Sequence, residues 1–389
     1  MIAIDDIHGF DSLKTPFYYY DMDLLRRTAG SLKRASEKYD IDIHYAMKAN
    51  SEDRVLEVMR LAGFGVDCVS GGEVRKAIAA GFPAGKVFFA GVGKSDEEMR
   101  DSLEAGIACF NVESVEELEV LADISEACGK VAPVALRVNP NVDARTMEGI
   151  TTGLEENKFG IADCRLEEAI ALLKNRSSLS FRGLHFHVGS QILELEAVYA
   201  DFCRKVSEAV ARFEAAGLKV TNLDLGGGLG IDYEHPDRNP VPDFERWLKV
   251  IDSLLDCREG RRIHLEPGRS LVAQCCSLIS RVLFVKKSCG KEFLILDAGF
   301  NNLLRPALYG AYHRIDNLNA ELMGSPVDRV YDIVGPICES TDVFAKDRPM
   351  PRCLRGDLIA IRSAGAYGSV MASDYNMHGF APAVFNDEK

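Results

Sequence analysis

The chain has no excess of positive charge: 46 basic side chains face 59 acidic ones, a formal charge of −13 over 389 residues. Such a surface repels polyanions, so neither nucleic acid nor an anionic membrane is expected as a partner. Any anionic ligand needs a local cluster of arginines or backbone donors. No apolar run is long enough to span a bilayer. The opening MIAIDDIHGF lacks a basic n-region and an apolar h-region, so it does not read as a signal peptide. The eleven cysteines are an odd number, never at C-x-x-C spacing, with Cys275 and Cys276 adjacent. That argues against a disulfide framework or a metal site, and for reduced core thiols in a cytoplasmic protein. Low-complexity segments and a long Pro/Gly/Ser linker are also missing.

What is present is an ordinary globular composition, 47% hydrophobic and 27% charged, at a length that suggests two domains. From about residue 40 to 268, short β-rich runs recur eight times: IHYAMK, GVDCVS, VFFAGV, ACFNVE, VALRVN, LHFHVG, LDLGGG and IHLEPG. Between them lie stretches such as EDRVLEVMRLAG, DEEMRDSLEAG and SVEELEVLADISEACGK, apolar at three- and four-residue spacing. Eight strand–helix units predict a closed (β/α)₈ TIM-like barrel rather than an open sheet. An insertion after Asn139, NPNVDARTMEGITTGLEENKFGI, reads as a functional loop. Beyond Ser270 the segments LISRVLFVKK, EFLILDAGF, VYDIVGPICES and DLIAIRSAG predict a C-terminal β-rich domain, a sandwich or barrel, to which the early FYYY run can add a strand. The expected division is a barrel over 24–269 and a β-domain over 1–23 with 270–389.

A (β/α)₈ barrel keeps its active site at the C-terminal ends of its strands. Those ends here carry Lys48, Asp67, Arg137, His187, the Gly226-Gly227-Gly228 run and Glu266. Taken singly, the lysine reads as a solvated charge and the histidine as a core or rim residue; their coincidence at one mouth is what points to chemistry. A buried lysine loses part of its proton affinity and attacks aldehydes. A cofactor aldehyde bearing a phosphate then needs backbone N–H donors, which GGGLG and EPGRS can offer. Glu266 can hold a proton on a pyridine nitrogen, and His187 can stack on the ring. Two other motifs fail on spacing. GVGKS at Gly91–Ser95 resembles the end of a phosphate-binding Walker loop, but the first glycine of that pattern falls on Phe88. In GGGLG the last glycine of a dinucleotide fingerprint falls on Ile231.

HYAMKAN, FHVGSQ, LDLGGGLGI, EPGRSLV, RPALYGAYH, GPICESTD and SAGAYG, in this order and across nearly the whole chain, resemble the fold-type III pyridoxal-phosphate decarboxylases, and within them the branch acting on diaminopimelate. The resemblance implies an alanine-racemase-like barrel binding pyridoxal 5'-phosphate, a C-terminal β-domain and a homodimer with shared active sites. It implies a carboxy-lyase that converts meso-2,6-diaminopimelate to L-lysine and CO₂, the last step of lysine biosynthesis. Carried over, it makes Lys48 the Schiff-base lysine, His187 the stacked ring, and Glu266 the partner of the pyridine nitrogen. Gly227, Gly228, Pro267, Gly268 and Arg269 line the phosphate, with Ser190 and Tyr367 assisting and Asp67 and Arg137 nearby. Arg269, Arg305, Tyr309, Glu339 and Tyr367 contact substrate, and Cys338 is the proton donor from the partner subunit. The tail departs from that family's pattern: Tyr375-Asn376 continues as MHGFAPAVF instead of a basic stretch.

Three rivals differ in what they require. A decarboxylase of ornithine, lysine or arginine needs carboxylates for a cationic distal amine, whereas Arg305 suits a distal carboxylate. A non-catalytic homologue that binds the cofactor need not keep both Lys48 and Cys338. A racemase needs a second base opposite Lys48.

Overall fold

The computed structural model describes residue 2 and residues 4–142 and 158–387. Most of the insertion after Asn139, and with it the expectation of a functional loop, lies outside the described residues. The chain forms two compact units: residues 29–230 with 243–270, and residues 1–28 with 231–242 and 271–389. Elements run in chain order from α1 (Ile4–Phe10), β1 (Phe17–Tyr20) and α2 (Met22–Tyr39) into the barrel strands.

The barrel is the expected one. Strands β2 (Ile41–Ala46), β3 (Gly65–Cys68), β4 (Val87–Phe89), β5 (Cys109–Val112), β6 (Ala132–Arg137), β7 (Leu179–His185), β8 (Asn222–Asp224) and β9 (Arg262–Leu265) close in sequence order, β9 pairing back onto β2. Parallel strands covered by helices are largely buried on both faces, so these runs are rich in apolar residues, broken by buried polar ones such as His44, Asp67, Asn111, His185 and Asp224. The strands are shorter than the sequence runs. Lys48, Glu266 and the glycines all fall just past a strand end, in the loops.

The helices between strands are α3 (Asp53–Leu61), α4 (Gly71–Ala79), α5 (Asp96–Ala105), α6 (Val115–Ala127), α7 (Leu166–Asn175), α8 (Leu195–Ala215) and α9 (Phe244–Leu254). Glutamates at their starts stitch neighbouring loops together. Glu73 accepts from Val69 N, Glu98 from Gly71 N, Glu113 from Gly91 N and Glu117 from Glu113 N, at 2.7–2.9 Å. Each bond satisfies a loop donor that the barrel cannot, and so stiffens the C-terminal mouth.

At the other end, His44 and His264 meet at 3.2 Å, Nε2 to Nδ1, and His44 stacks on Phe88 at 3.9 Å between ring centroids. They line a cavity of about 390 Å³ with Asp42, Cys109, Lys86, Arg182 and Arg262. Burial first, then mutual repulsion, lowers His44 to about 3. Burial lowers His264 to about 4.

The second unit is β-rich, as expected. After α10 (Arg269–Val272) come β10 (Cys276–Ser288), β11 (Lys291–Leu296), α11 (Arg305–Tyr309), β12 (Ile315–Asn317), α12 (Leu318–Leu322), β13 (Val327–Val334), β14 (Val343–Pro351), β15 (Leu358–Ile361) and β16 (Ala383–Phe385). Among the described residues the strands join in one mixed sheet. The FYYY run is β1, paired antiparallel with β10 and parallel with β16, its four side chains buried. Phe10, Phe17, Tyr19, Ile279 and Leu318 form part of its core. The divergent tail ends in β16, where Phe385 stacks on Tyr20 at 5.3 Å. All eleven cysteines are free, six of them buried. Among the described residues no helix is long and apolar enough to cross a membrane.

Candidate active site

Lys48 sits in a single tight turn, Met47–Ala49, directly after β2. Met47 and Ala49 are fully buried, and Tyr45 Oη donates to Asn50 O at 2.7 Å, so the turn is pinned with the lysine on its open side. Its side chain is 38% exposed, and its Nζ lies 3.5 Å from Asp67 Oδ2 at the end of β3. The lysine is therefore less buried than the sequence reading supposed. Burial first and the charge of Glu266 second push the Asp67 carboxyl well above its ordinary value, against the pull of Lys48.

Three glycines after β8 allow loops to close over one another. At Gly226 (φ +69°) a Cβ would meet His187 Nδ1 at 2.5 Å, and at Gly227 it would meet Glu266 O at 2.2 Å. At Gly228 (φ +111°) it would stand 2.7 Å from Gly189 O. Both contacts with carbonyl oxygens are with backbone, which cannot yield as a side chain can, so only glycine fits. Gly268 packs against Ala46 and Ala49, and Pro267 O accepts from Ala46 N at 3.2 Å, which ties the EPG loop to the lysine turn. Arg269, buried, donates to Ser190 Oγ through Nε and an Nη at 3.2 and 3.1 Å.

His187 Nδ1 accepts from Gly227 N at 3.3 Å. Burial first, then the positive charges of Arg137 and Lys48, depress its pKa well below the usual value, so the ring is neutral. Arg137 is buried. It donates to Glu113 Oε1 at 2.9 Å, and its guanidinium lies 4.8 Å from the Phe159 ring centroid.

Behind these groups stands a cluster the sequence reading missed. A carboxyl oxygen of Asp224, one of Glu266 and a ring nitrogen of His185 lie within 4.8 Å of one another, all three residues buried. Two carboxylate charges at that range repel by roughly 3–4 kcal/mol at an effective dielectric of 20. Burial pushes the Glu266 carboxyl up, but His185 first and Lys48 after it outweigh that and hold it below the usual carboxylate range. Asp224 moves the other way: burial and then Glu266 hold it well above. The missed signal was Asp224, a buried acid in the LDLGGG run, and a second histidine, His185, two residues before His187.

The Walker-like GVGKS also finds its place. Lys94, 1% exposed, donates to Gly91 O, Asn111 O and Glu117 Oε1 at 2.7–2.9 Å. Ser95 caps α5 in a reciprocal capping box with Glu98. The lysine is a structural clamp between loops.

In the second unit Arg305 opens α11 and is buried. Its NH1 lies 2.8 Å from His313 Nε2, and its guanidinium lies 4.9 Å from the Tyr233 ring centroid. His313 Nδ1 in turn lies 2.8 Å from Arg362 O. A carbonyl can only accept, so Nδ1 carries the proton and Nε2 is left to accept from Arg305. Tyr309 and Tyr367 are half-buried, Tyr367 in the left-handed region at φ +58°. Cys338 and Glu339 are exposed on the segment after β13. Cys338 N donates to Asn376 Oδ1 and Tyr375 Oη to Glu339 Oε1, both at 2.9 Å, so the Tyr-Asn pair at the head of the divergent tail braces the CES motif. The structure thus sets the expected barrel residues at the strand ends of one mouth, while in the β-rich unit Arg305 keeps to His313 and Tyr233, and Cys338 and Glu339 to Asn376 and Tyr375.

Residues 24–273 match the family model described as pyridoxal-dependent decarboxylase, pyridoxal binding domain. A diaminopimelate decarboxylase of Bacteroides thetaiotaomicron is 49% identical over 389 residues, all of both chains. One from Neisseria meningitidis serogroup B is 41% identical, over 97% of this chain and 89% of its own length. The solved diaminopimelate decarboxylase of Helicobacter pylori complexed with L-lysine matches with a TM-score of 0.90 at 38% identity, covering 98% of this chain and 94% of that one. A lysine/ornithine decarboxylase of Vibrio vulnificus complexed with putrescine shares the fold, with a TM-score of 0.84 at 23% identity and full coverage of both chains.

Proposed function

The chain belongs to the diaminopimelate decarboxylase family of pyridoxal-dependent decarboxylases, and from that premise we propose that it removes one carboxyl group of meso-2,6-diaminopimelate as CO₂, leaving L-lysine, with pyridoxal 5'-phosphate as cofactor. The observation that carries this is the pairing, at one barrel mouth, of Lys48 on Asp67 with a second buried carboxyl, Glu266, whose Oε1 has no hydrogen-bond partner. A protonated pyridine nitrogen would give this carboxylate a charged donor. Close-packed glycine loops with Arg269 beside them suit a phosphate. The residues therefore fit the cofactor.

When bound, the cofactor supplies an aldehyde for amine chemistry and an electron sink for the pair left by departing CO₂. Lys48 would hold it, and Glu266, kept anionic, would retain the proton at the pyridine nitrogen. His187, neutral and bonded to Gly227 N, offers a flat face without adding charge. Arg269, Ser190, Gly227, Gly228, Pro267, Gly268 and Tyr367 would hold the phosphate, with Asp67 and Arg137 beside the lysine end. Arg305 would take the distal carboxylate and Glu339 the distal ammonium, with Tyr309, Arg269 and Tyr367 completing the pocket. A cysteine thiol can act as a general acid. Cys338 of the partner subunit is thus suited to give a proton to the carbon that loses CO₂.

The test is CO₂ release from a panel of diaminopimelate, lysine, ornithine and arginine, with borohydride reduction followed by mass mapping. Release from diaminopimelate alone and a cofactor adduct on Lys48 are expected. An adduct on another lysine, or turnover led by ornithine or lysine, would reject the assignment.

A further inference from the structure

We propose that Asp224 is a positioning residue: it stands as a neutral carboxylic acid that donates its proton to Glu266, and so holds Glu266 as one fixed anion behind the pyridine nitrogen. This rests on the role proposed above for Glu266, but its first test does not.

The case starts from donors and acceptors. Asp224 is the last residue of β8, and its Oδ1 accepts from Gly226 N at 3.0 Å. Its Oδ2 is buried with no hydrogen-bond partner, and so is Glu266 Oε1. An ionised carboxylate has only acceptors, so two of them near one another cannot satisfy each other; a proton on one lets it donate to the other. Leaving a buried acceptor unmade is costly, and leaving two beside each other with full charge more so.

The neighbours decide which group keeps the proton. The charged or titratable groups facing the cluster are Lys48 after β2, Asp67 on β3, Cys109 on β5, Arg137 on β6, and His185 and His187 at the end of β7. Lys48 lies 3.5 Å from Asp67, His185 lies 3.4 Å from Glu266, and Arg137 lies 2.9 Å from Glu113. Lys48 and Arg137 thus stand on carboxyls other than Asp224, and His185 is within ion-pair distance of Glu266, while Asp224 makes no ion pair among the described residues. Glu266, with His185 against it, is the better anion, and Asp224 the better acid. With Gly226 N on one oxygen and its own O–H directed to Glu266, Asp224 has both ends satisfied. Glu266 then accepts from Asp224, with the His185 ring 3.4 Å from its other oxygen, and keeps lone pairs for the pyridine side.

This assignment makes opposite predictions for two substitutions. Asp224→Asn has the shape and the donor of a neutral acid; Asp224→Ala has neither. Infrared difference spectra of the wild type against Asp224→Asn, recorded at neutral pH on protein without cofactor and again with it, should show a protonated-carboxyl C=O band that the variant lacks. In steady state Asp224→Ala should lose roughly 10–100-fold in kcat with a much smaller change in KM for diaminopimelate, and Asp224→Asn should recover most of that loss. If Asp224→Ala does not fold, the infrared band and the activity of Asp224→Asn decide between them. Absence of the band, or an Asn variant with at most a hundredth of the wild-type kcat, overturns the proposal and points to an ionised Asp224. A divalent ion held by the cluster would give that same result and would appear in metal analysis of the wild type. Should the wild type release no CO₂ from diaminopimelate, the reaction assignment fails while the infrared band still decides the state of Asp224.

Discussion

The substrate choice proposed for Arg305 depends on a guanidinium whose direction is set by a neighbour. Arg305 is buried, and His313 accepts from it through Nε2 because Nδ1 is committed to Arg362 O. Replacing Arg305 by Leu should remove a charge-assisted pair worth about 2–5 kcal/mol, including the cost of an unpaired substrate carboxylate. Activity on diaminopimelate should collapse while slow turnover of lysine or ornithine persists. Near-native kcat/KM on diaminopimelate would rule out the distal-carboxylate role. His313→Ala tests the orientation separately. It keeps the charge but frees the fork, so KM for diaminopimelate should rise about tenfold with kcat less affected. A variant with unchanged KM would show that the histidine is only packing. The histidine was visible in RPALYGAYH, eight residues after the arginine, but nothing in a linear spacing says that a short helix and a turn fold one onto the other.

At the scale of elements, the eight strands were legible because buried parallel strands are nearly continuous apolar runs, and the helices because their apolar residues recur every three or four. Strand ends were less legible. The β-rich runs continue into loops, since VDCVS and LDLGGG stay apolar or small past the last ladder bond. The interior polar residues were legible least. His44 and His264, at the opposite end of the barrel from Lys48, give this element a pH dependence with a definite sign. Their folded pKa values, about 3 and about 4, lie below the ordinary 6.5. Such a group contributes full stability above its unfolded pKa. As pH falls below 6.5 the unfolded chain takes up protons that the barrel refuses, and stability drops until the folded pKa is reached. The loss approaches ~1.4 kcal/mol per pH unit for each histidine. Urea midpoints between pH 7 and 5 should therefore fall less steeply in His44→Gln than in the wild type, whatever their offset. Parallel curves would mean that the pair does not resist protonation.

At the scale of the whole molecule, the proposal that Lys48 and Cys338 of one site belong to different subunits has a direct test. Lys48→Ala and Cys338→Ala are each expected to be inactive as homodimers. Mixed through unfolding or slow exchange, half the dimers are mixed, and one of the two sites in each carries native Lys48 and native Cys338. About a quarter of native activity should return. With exchange confirmed by mass, no recovery would mean that both residues act within one chain.

The sequence by itself determined the barrel, the β-rich unit, the lysine at a strand end and the glycine loops. Each is written in local terms: a period of apolar residues, a turn that only glycine can make, a residue type at the end of a run. Seven ordered motifs added the family. Tertiary structure alone decided which charges meet. Asp67, Asp224 and Glu266 come from strands about 40 to 200 residues apart in the chain, and only closure of the barrel puts them within reach of one another. The same closure made GVGKS a structural clamp, since Lys94 found three acceptors on neighbouring loops. Protonation in a buried cluster depends on neighbours and on exclusion of water, and neither is a property of a residue's position in the chain.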